Sequence, residues 1–330
     1  MRDGDAYEDT DAELIEVLKS LKTNIKIFGC GGSGSNTITR IMEEGIQGAD
    51  VIAANTDAQA LLMTQATKKI LLGRRATRGL GAGAIPQVGE AAAREAEDEI
   101  RRAVEGADIV FVTAGMGGGT GTGSAHVVAE IAKQGGALVI SIVTVPFTSE
   151  GVMRKENAMW GLEKLKEKSD TIVVIPNDKL LELVPRLPLN EAFRFADEIL
   201  MRSIKGLTEL VTKPGLINLD FNDLKTVMKD GGTAMIGIGQ SGSQDRAVDA
   251  AKKALGSPLL DLEISTATSA IVSVTGSSNL SVEEAHAALD EVKKRINPNA
   301  RIIWGARIDE SMKNDIKVLA ILVGAKNKYV

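Results

Sequence analysis

The stretch "AGMGGGTGTGS", Ala114–Ser124, places six glycines in the nine positions 115–123 and contains no lysine. It follows the apolar run "ADIVFVT" and precedes "SAHVVAEIAKQGG", so it reads as the loop between a strand and a helix. Glycine loses more backbone freedom on folding than any other residue, so such a loop is disfavoured unless something orders it. The N–H groups of Gly115, Gly117, Gly118, Gly119, Gly121 and Gly123 would form an anion nest. Thr120 and Thr122 would add hydroxyl donors, and Ser124 would start the helix. No G-x-x-x-x-G-K-[ST] occurs anywhere, so backbone amides, a helix dipole and a magnesium ion would share the charge of a bound triphosphate. A flexible turn with no ligand is the competing reading.

Outward from this loop, strands and helices alternate. "NIKIFG", "DVIAANTD", "ADIVFVTAG", "ALVISIVTVP" and "TIVVIPND" read as strands, separated by helical stretches that include "PQVGEAAAREAEDEIRRAVEG", taken as one helix. This alternation predicts an α/β fold with a doubly wound parallel sheet. "GCGGSGSN", Gly29–Asn36, matches G-x-G-x-x-G between a strand and a helix. Alone it would read as a dinucleotide loop, with Asp57 near the place of the ribose-binding acid, or as a tight turn with no ligand. A dinucleotide fold needs one such loop, and this chain has two. Residues 1–22 read as an acidic tail and an amphipathic helix, and 23–189 as the first domain. A long connecting helix, 190–215, carries Ile199, Leu200, Ile204, Leu207, Leu210 and Val211 at helical spacing and is expected to pack on both domains. Residues 216–330 read as a smaller mixed α/β domain.

The composition excludes several classes. The 330 residues are 44% hydrophobic and 25% charged, the balance of a soluble globular protein. A net charge of -5 and 3% aromatic residues argue against a nucleic-acid surface. One cysteine, Cys30, allows no intramolecular disulfide and points to a reducing compartment. The longest apolar run falls short of the roughly 20 residues that span a bilayer, and the acidic N-terminus is unlike a signal peptide. A cytoplasmic protein without membrane insertion is expected. With no Cys–His cluster, His126 and His286 read as structural and no metal ligand is assigned.

"GGGTGTGS" at 117–124 resembles the tubulin signature loop. Taken with "GCGGSGSN", "NTDAQAL", "GRRATRGLGAG", "TVPFTSEG", "IPND" and "NLDFNDLKTVM", in that order, it resembles the FtsZ family of tubulin-like cell-division GTPases. These blocks span Gly29–Met228, and the remaining strands fit the family's second domain. "TITR" and the early amphipathic helix lean towards archaeal members. The resemblance implies GTP or GDP with Mg2+ as ligands, head-to-tail assembly with further copies into division-ring filaments at mid-cell, and a membrane-tethering adaptor as partner.

Position by position, it implies that Gly31, Gly32 and Gly34 cradle phosphate with Asn36 near the base, while Gly117, Gly118, Gly119, Thr120, Gly121, Thr122 and Gly123 form the second phosphate loop. Asn55 and Asp57 would line the phosphate or metal side. Glu150 and Arg154 would meet ribose and phosphate, although by spacing they are an i,i+4 helix pair. Asn177 would reach the ribose or base, Phe193 would stack on guanine and Asp197 would accept from its donor edge. Asp220 and Asp223, with Asn218 beside them, would enter the next subunit's pocket and polarise the attacking water, although by position the two acids read as helix capping. "GRRATRG" would sense the γ-phosphate or be a solvated loop.

Ser33 and Ser35 stand where many relatives carry glycine or asparagine. Bacterial members end in a long linker and a docking peptide, whereas this sequence stops at "GAKNKYV", so either it is a shortened piece or a tether docks elsewhere, the acidic N-terminal segment being one candidate. The competing functions are a nicotinamide-dependent oxidoreductase and a tubulin-like polymer with little hydrolysis.

Overall fold

Apolar runs long enough to be covered on both faces form the centre of the fold. In the computed structural model, which describes residues 23–183, 188–213, 215–217, 219–257 and 264–325, six of them are parallel strands: β1 (Ile25–Cys30), β2 (Ala49–Asn55), β3 (Lys68–Leu71), β4 (Ile109–Gly115), β5 (Leu138–Val145) and β6 (Thr171–Pro176). Every residue of β5 and β6 is buried. The connections carry α1 (Gly31–Glu44), α2 (Ala58–Met63), α3 (Pro86–Glu95), α4 (Glu97–Val104), α5 (Thr120–Gln134), α6 (Val152–Lys168) and α7 (Asn177–Leu183). The long helix α8 (Leu189–Thr212) follows. After it come α9 (Phe221–Met228), β7 (Gly232–Ser241), α10 (Arg246–Leu255), β8 (Ser269–Gly276), α11 (Val282–Lys293), β9 (Arg301–Ile308) and β10 (Ile316–Val323). Among the described residues no helix is long and apolar enough to cross a membrane.

The strands form one sheet in the order β3-β2-β1-β4-β5-β6-β7-β10-β8-β9. The strand order reverses between β1 and β4, where Cys30 lies between Ala54 and Ala114, and that switch opens a crevice at the carboxyl ends of the strands. The second half is not a separate sheet. β7 continues the first half in parallel through Thr171↔Gly232, Ile172↔Thr233 and Val173↔Ala234. β10 then pairs antiparallel with β7 and β8, and β9 runs parallel to β8.

One face of the first half packs on α3 to α6, burying Phe28, Val112, Ala125 and Leu162. The other packs on α1 and α8. There Ile38, Phe111, Leu200, Ile204 and Leu207 share a core with Ile236 of β7 and Ile321 of β10. The helical stripe on α8 does touch both halves, as its spacing predicts.

Local departures have local causes. The predicted single helix from Pro86 breaks at Ala96, where φ −97° and ψ 15° leave the helix. The chain restarts with Glu97, Asp98 and Glu99 in a new first turn, where acids suit the helix N-terminus. β3 escapes a periodicity reading because only four residues pair, with Ile70 alone fully buried. In "ISTATSAIVSVTG", 264–276, only Ser269–Gly276 is strand. The amphipathic helix expected within 1–22 lies outside the described residues.

The largest correction concerns the glycine stretch itself. The helix begins at Thr120, not Ser124, so Gly121 and Gly123 are helical. They are glycine because backbone passes against them. A Cβ on Gly121 would stand 2.8 Å from the Gly115 carbonyl oxygen and 3.1 Å from that of Cys30. A Cβ on Gly123 would press into the Pro86 carbonyl and stand 2.5 Å from the Glu90 nitrogen. Neither neighbour can swing aside. Gly123→Ala is therefore expected to destabilise the protein by about 3 kcal/mol, the upper range for overpacking, read as a lower urea midpoint. A midpoint within experimental error of the parent would show that α3 does not set the place of α5.

Candidate functional site

Two helices begin at the crevice. Gly31, at φ +73°, opens α1, and a Cβ there would lie 2.6 Å from the Gly121 nitrogen. The N-termini of α1 and α5 therefore converge. Neither Cys30 nor Gly119, their N-cap positions, supplies a side-chain cap, and neither helix has an acid in its first turn. Among the described residues these first-turn N–H groups thus have no side-chain cap, and two positive dipole ends face one space. That arrangement suits an oxyanion.

The space is a cleft of about 410 Å3, lined at this end by Gly32, Gly115, Met116, Gly118, Gly119, Thr120 and Gly121. Gly117 and Thr122 are not on its wall. Gly117 takes φ +101° and donates to Thr122 Oγ1 at 2.9 Å, which shapes the turn. Gly34 and Gly123 are packing positions: a Cβ on Gly34 would lie 2.8 Å from the Thr113 carbonyl oxygen. Asn55 is buried and accepts from the Asp57 N–H at 3.3 Å. Asp57 caps α2 through Ala60 N at 2.9 Å. Both lie beside the cleft wall, since Thr56 and Thr120 share a hydroxyl hydrogen bond of 2.6 Å.

Across the cleft, Arg154 donates to Glu150 Oε2 at 3.0 Å and Glu150 Oε1 accepts from Phe147 N at 2.8 Å. The i,i+4 pair exists, and both residues line the cleft. Asn177 lines it too, 5% exposed, with its side-chain carbonyl oxygen buried and lacking a partner among the described residues. Such an acceptor is costly unless a ligand donates to it.

At the far end Phe193 is 38% exposed, its ring edge-on to Phe147 at 5.2 Å. One helical turn on, Asp197 is 6% exposed and accepts from Ser33 Oγ at 3.1 Å. Burial pushes its carboxyl up to about 6, against the hydrogen bond from Ser33 and the pull of Arg40 and Asn36. An exposed aromatic face beside a buried acceptor is built for a flat, donor-bearing ring.

Sequence reasoning assigned no role to Met116, Thr144, Pro146 or Ala196, which also line the cleft, and did not foresee that Ser33 touches Asp197. Nothing in the local pattern signals residues brought in by separate strand ends. Asp220 and Asp223 lie outside the cleft and form a capping box on α9, with Asp223 N to Asp220 Oδ1 at 2.8 Å and Asp220 N to Asp223 Oδ2 at 3.2 Å. Asn218 lies outside the described residues. His126 is also elsewhere, buried edge-on to Trp160, with Nε2 3.2 Å from Glu90 Oε1. Cys30 is fully buried at the end of β1, its thiol pushed up to about 12 by burial.

Residues 24–185 match the family model of the Tubulin/FtsZ family, GTPase domain, and residues 232–326 that of the FtsZ family, C-terminal domain. The chain is 56% identical over 328 residues to cell division protein FtsZ 1 of Archaeoglobus fulgidus, covering 99% of this chain and 89% of the relative. It is 55% identical over 318 residues to cell division protein FtsZ 1 of Methanocaldococcus jannaschii, covering 96% and 87%. The solved empty FtsZ dimer of M. jannaschii superposes with a TM-score of 0.91 at 55% identity, over 96% of this chain and 92% of that one. CetZ2 from Haloferax volcanii, at 20% identity and a TM-score of 0.79, shares the fold. These matches overturn the oxidoreductase alternative.

Asp197 carries a stability consequence. Its folded-state pKa, about 6, lies above the ordinary 3.8, so the folded protein holds this proton more tightly than the unfolded chain. The favourable contribution is complete below about pH 4 and is lost as pH rises through 6. At pH 7 without ligand the buried charge costs on the order of 2–3 kcal/mol. Asp197→Asn is expected to raise the thermal midpoint of the ligand-free protein at pH 7, to bring no gain at pH 4, and to weaken guanine nucleotide binding. A lower midpoint at pH 7 would contradict this account of the carboxyl.

Proposed function

The chain belongs to the FtsZ family of tubulin-like GTPases, and we propose that its hydrolysis of GTP is completed between neighbouring subunits of a head-to-tail filament that serves cell division. The observation that carries this reading is the incomplete chemistry of the cleft. Its wall offers two helix N-termini for phosphates, Glu150, Arg154 and Asn177 for the ribose side, and Phe193 with Asp197 for the base. Its two wall carboxylates are both engaged, Glu150 by Arg154 and the Phe147 N–H, Asp197 at the base end by Ser33. Glu150 has both oxygens taken and Asp197 stands at the other end, so neither is placed to position water at a γ-phosphate.

The carboxylates suited to that task, Asp220 and Asp223, stand outside the cleft beside exposed Leu216 and Ile217. A second subunit placed head-to-tail would bring them to the phosphate. Phosphoryl transfer depends on positioning and charge stabilisation, so a loop delivered by a neighbour completes the site. A contact between two different faces does not close on itself, and it propagates into a filament.

Three roles complete the proposal: residues 23–189 as the nucleotide domain, 190–215 as the connecting helix and 216–330 as the activating domain. Among the described residues no three His, Cys, Asp or Glu come together as a metal cage. A Mg2+ ion would therefore be held mainly by phosphate oxygens and water, the mode its chemistry favours. The relatives' names, cell division proteins, support action at the mid-cell division site in the cytoplasm, and an adaptor there would supply the membrane tether.

GTPase rate against protein concentration tests the reading, with Mg2+ present and assembly followed by light scattering. The rate per subunit is expected to be near zero when dilute and to rise together with scattering. Asp223→Ala is expected to keep GTP binding and filaments while turnover falls by about 10²–10⁴-fold. A rate per subunit indifferent to dilution, or turnover unchanged in Asp223→Ala, would remove the shared site.

A further inference from the structure

Asp197 is asked to be both buried and ionised, and those demands conflict. If Asp197 reads the guanine edge, as proposed above, it must accept from the ring N1–H and the exocyclic amino group. An ionised carboxylate, an acceptor only, does this. A protonated carboxyl presents one donor beside one acceptor, which matches the ring nitrogen and amino group of adenine instead. Base preference in this cleft thus depends on a single proton, and at 6% exposure burial favours keeping that proton on.

Three residues of α1 oppose this. Ser33, Asn36 and Arg40 follow one another at i, i+3 and i+7, on the face of the helix that meets α8. Ser33 donates to Asp197 Oδ1 at 3.1 Å, which leaves Oδ2 for the cleft. Gly115 holds Ser33 in place, since any Cβ there would lie 2.7 Å from that of Ser33. Arg40, by its positive charge, and Asn36 also pull this carboxyl down against the effect of burial. The Arg40 Nε is buried with no hydrogen-bond partner among the described residues. The other charged groups nearby are Glu150 and Arg154 across the cleft and Arg194 and Glu198 on α8 itself.

We infer that Ser33 and Arg40 are positioning residues that hold the base-reading carboxylate of Asp197 ionised and fixed in plane, and so set the preference of the cleft for guanine over adenine nucleotides. Neither needs to touch the nucleotide to do so.

The test is the ratio of GDP to ADP affinity measured by calorimetry between pH 5 and 8. The two nucleotides carry the same phosphate chain, so its titration cancels in the ratio. In the parent protein ADP bound to the ionised form keeps only its phosphate and ribose contacts, so the ratio is expected to be level near neutrality and to fall about tenfold per pH unit below a break set by Asp197. Ser33→Ala is expected to move that break up by about one pH unit, the roughly tenfold effect of a hydrogen bond to a charged group. Arg40→Met is expected to move it in the same direction, and Ser33→Thr, which keeps the hydroxyl, to restore it.

Asp197→Asn is expected to abolish the break. If the break vanishes there but stays unmoved in Ser33→Ala and Arg40→Met, the positioning role is wrong and base reading by Asp197 stands. If the break persists in Asp197→Asn, both fall. Loss of affinity without a shift of the break would mark Ser33 and Arg40 as structural only, and would equally overturn the inference.

Discussion

Two helices cannot begin within van der Waals contact of each other's backbone unless the side chains between them are absent. At the carboxyl ends of β1 and β4 that condition governs the rest. Gly31 meets the Gly121 backbone, Gly34 the Thr113 carbonyl, Gly89 the Gly119 carbonyl and Gly123 the Pro86 carbonyl, while Gly161 lies under the Thr122 methyl. The contacts bring α1, α3, α5 and α6 together around one point. The electrostatics follow from the geometry, because only helices that start so close can direct two sets of unpaired N–H groups into one space. A methyl group at most of these positions would cost about 1–3 kcal/mol, against a net stability on the order of 5–15 kcal/mol for a folded domain.

The second organising element is α8. Its first turns carry Phe193 and Asp197 at the far end of the cleft, and its last turns carry Glu209, which bonds Arg307 of β9 at 3.0 Å. The two carboxylates are twelve residues apart, roughly 18 Å of helix. Burial opposes ionisation of Glu209, yet hydrogen bonds from Lys213 and Arg307 outweigh it and hold the carboxyl below its ordinary range. The same helix supplies Leu200, Ile204 and Leu207 to the core that also contains Ile236 and Ile321. The Phe193–Asp197 end of the cleft and the attachment to the second half therefore belong to one helix, packed on a sheet that runs unbroken through both halves.

Much of this was legible in the chain. Strands buried on both faces announce themselves as continuous apolar runs, and the α8 stripe was visible at Ile199, Leu200, Ile204 and Leu207. The glycine loops read as a ligand site, and several of their residues do line one cleft, but the reason for individual glycines was not legible. Gly121 and Gly123 looked like nest residues and are close-packing residues in a helix, a distinction that depends on what passes behind them. The break at Ala96 and the short β3 fell below what periodicity can register. At the far end of the cleft, Phe193 and Asp197 were an ordinary i,i+4 pair without the family resemblance. The Ser33–Asp197 bond joins residues 164 positions apart, which local pattern cannot foresee.

The fully buried Cys30 has a practical consequence. Its thiol ends β1 beneath the crevice, out of solvent and raised far from the range where thiolate forms at neutral pH. It is also the single cysteine of the chain. The folded protein is therefore chemically silent towards alkylating probes and oxidants, and thiol labelling doubles as a report of unfolding. For the same reason, any cysteine engineered onto the surface would be the sole reactive thiol. Pairs placed on facing surfaces of neighbouring copies could then be cross-linked against an empty background.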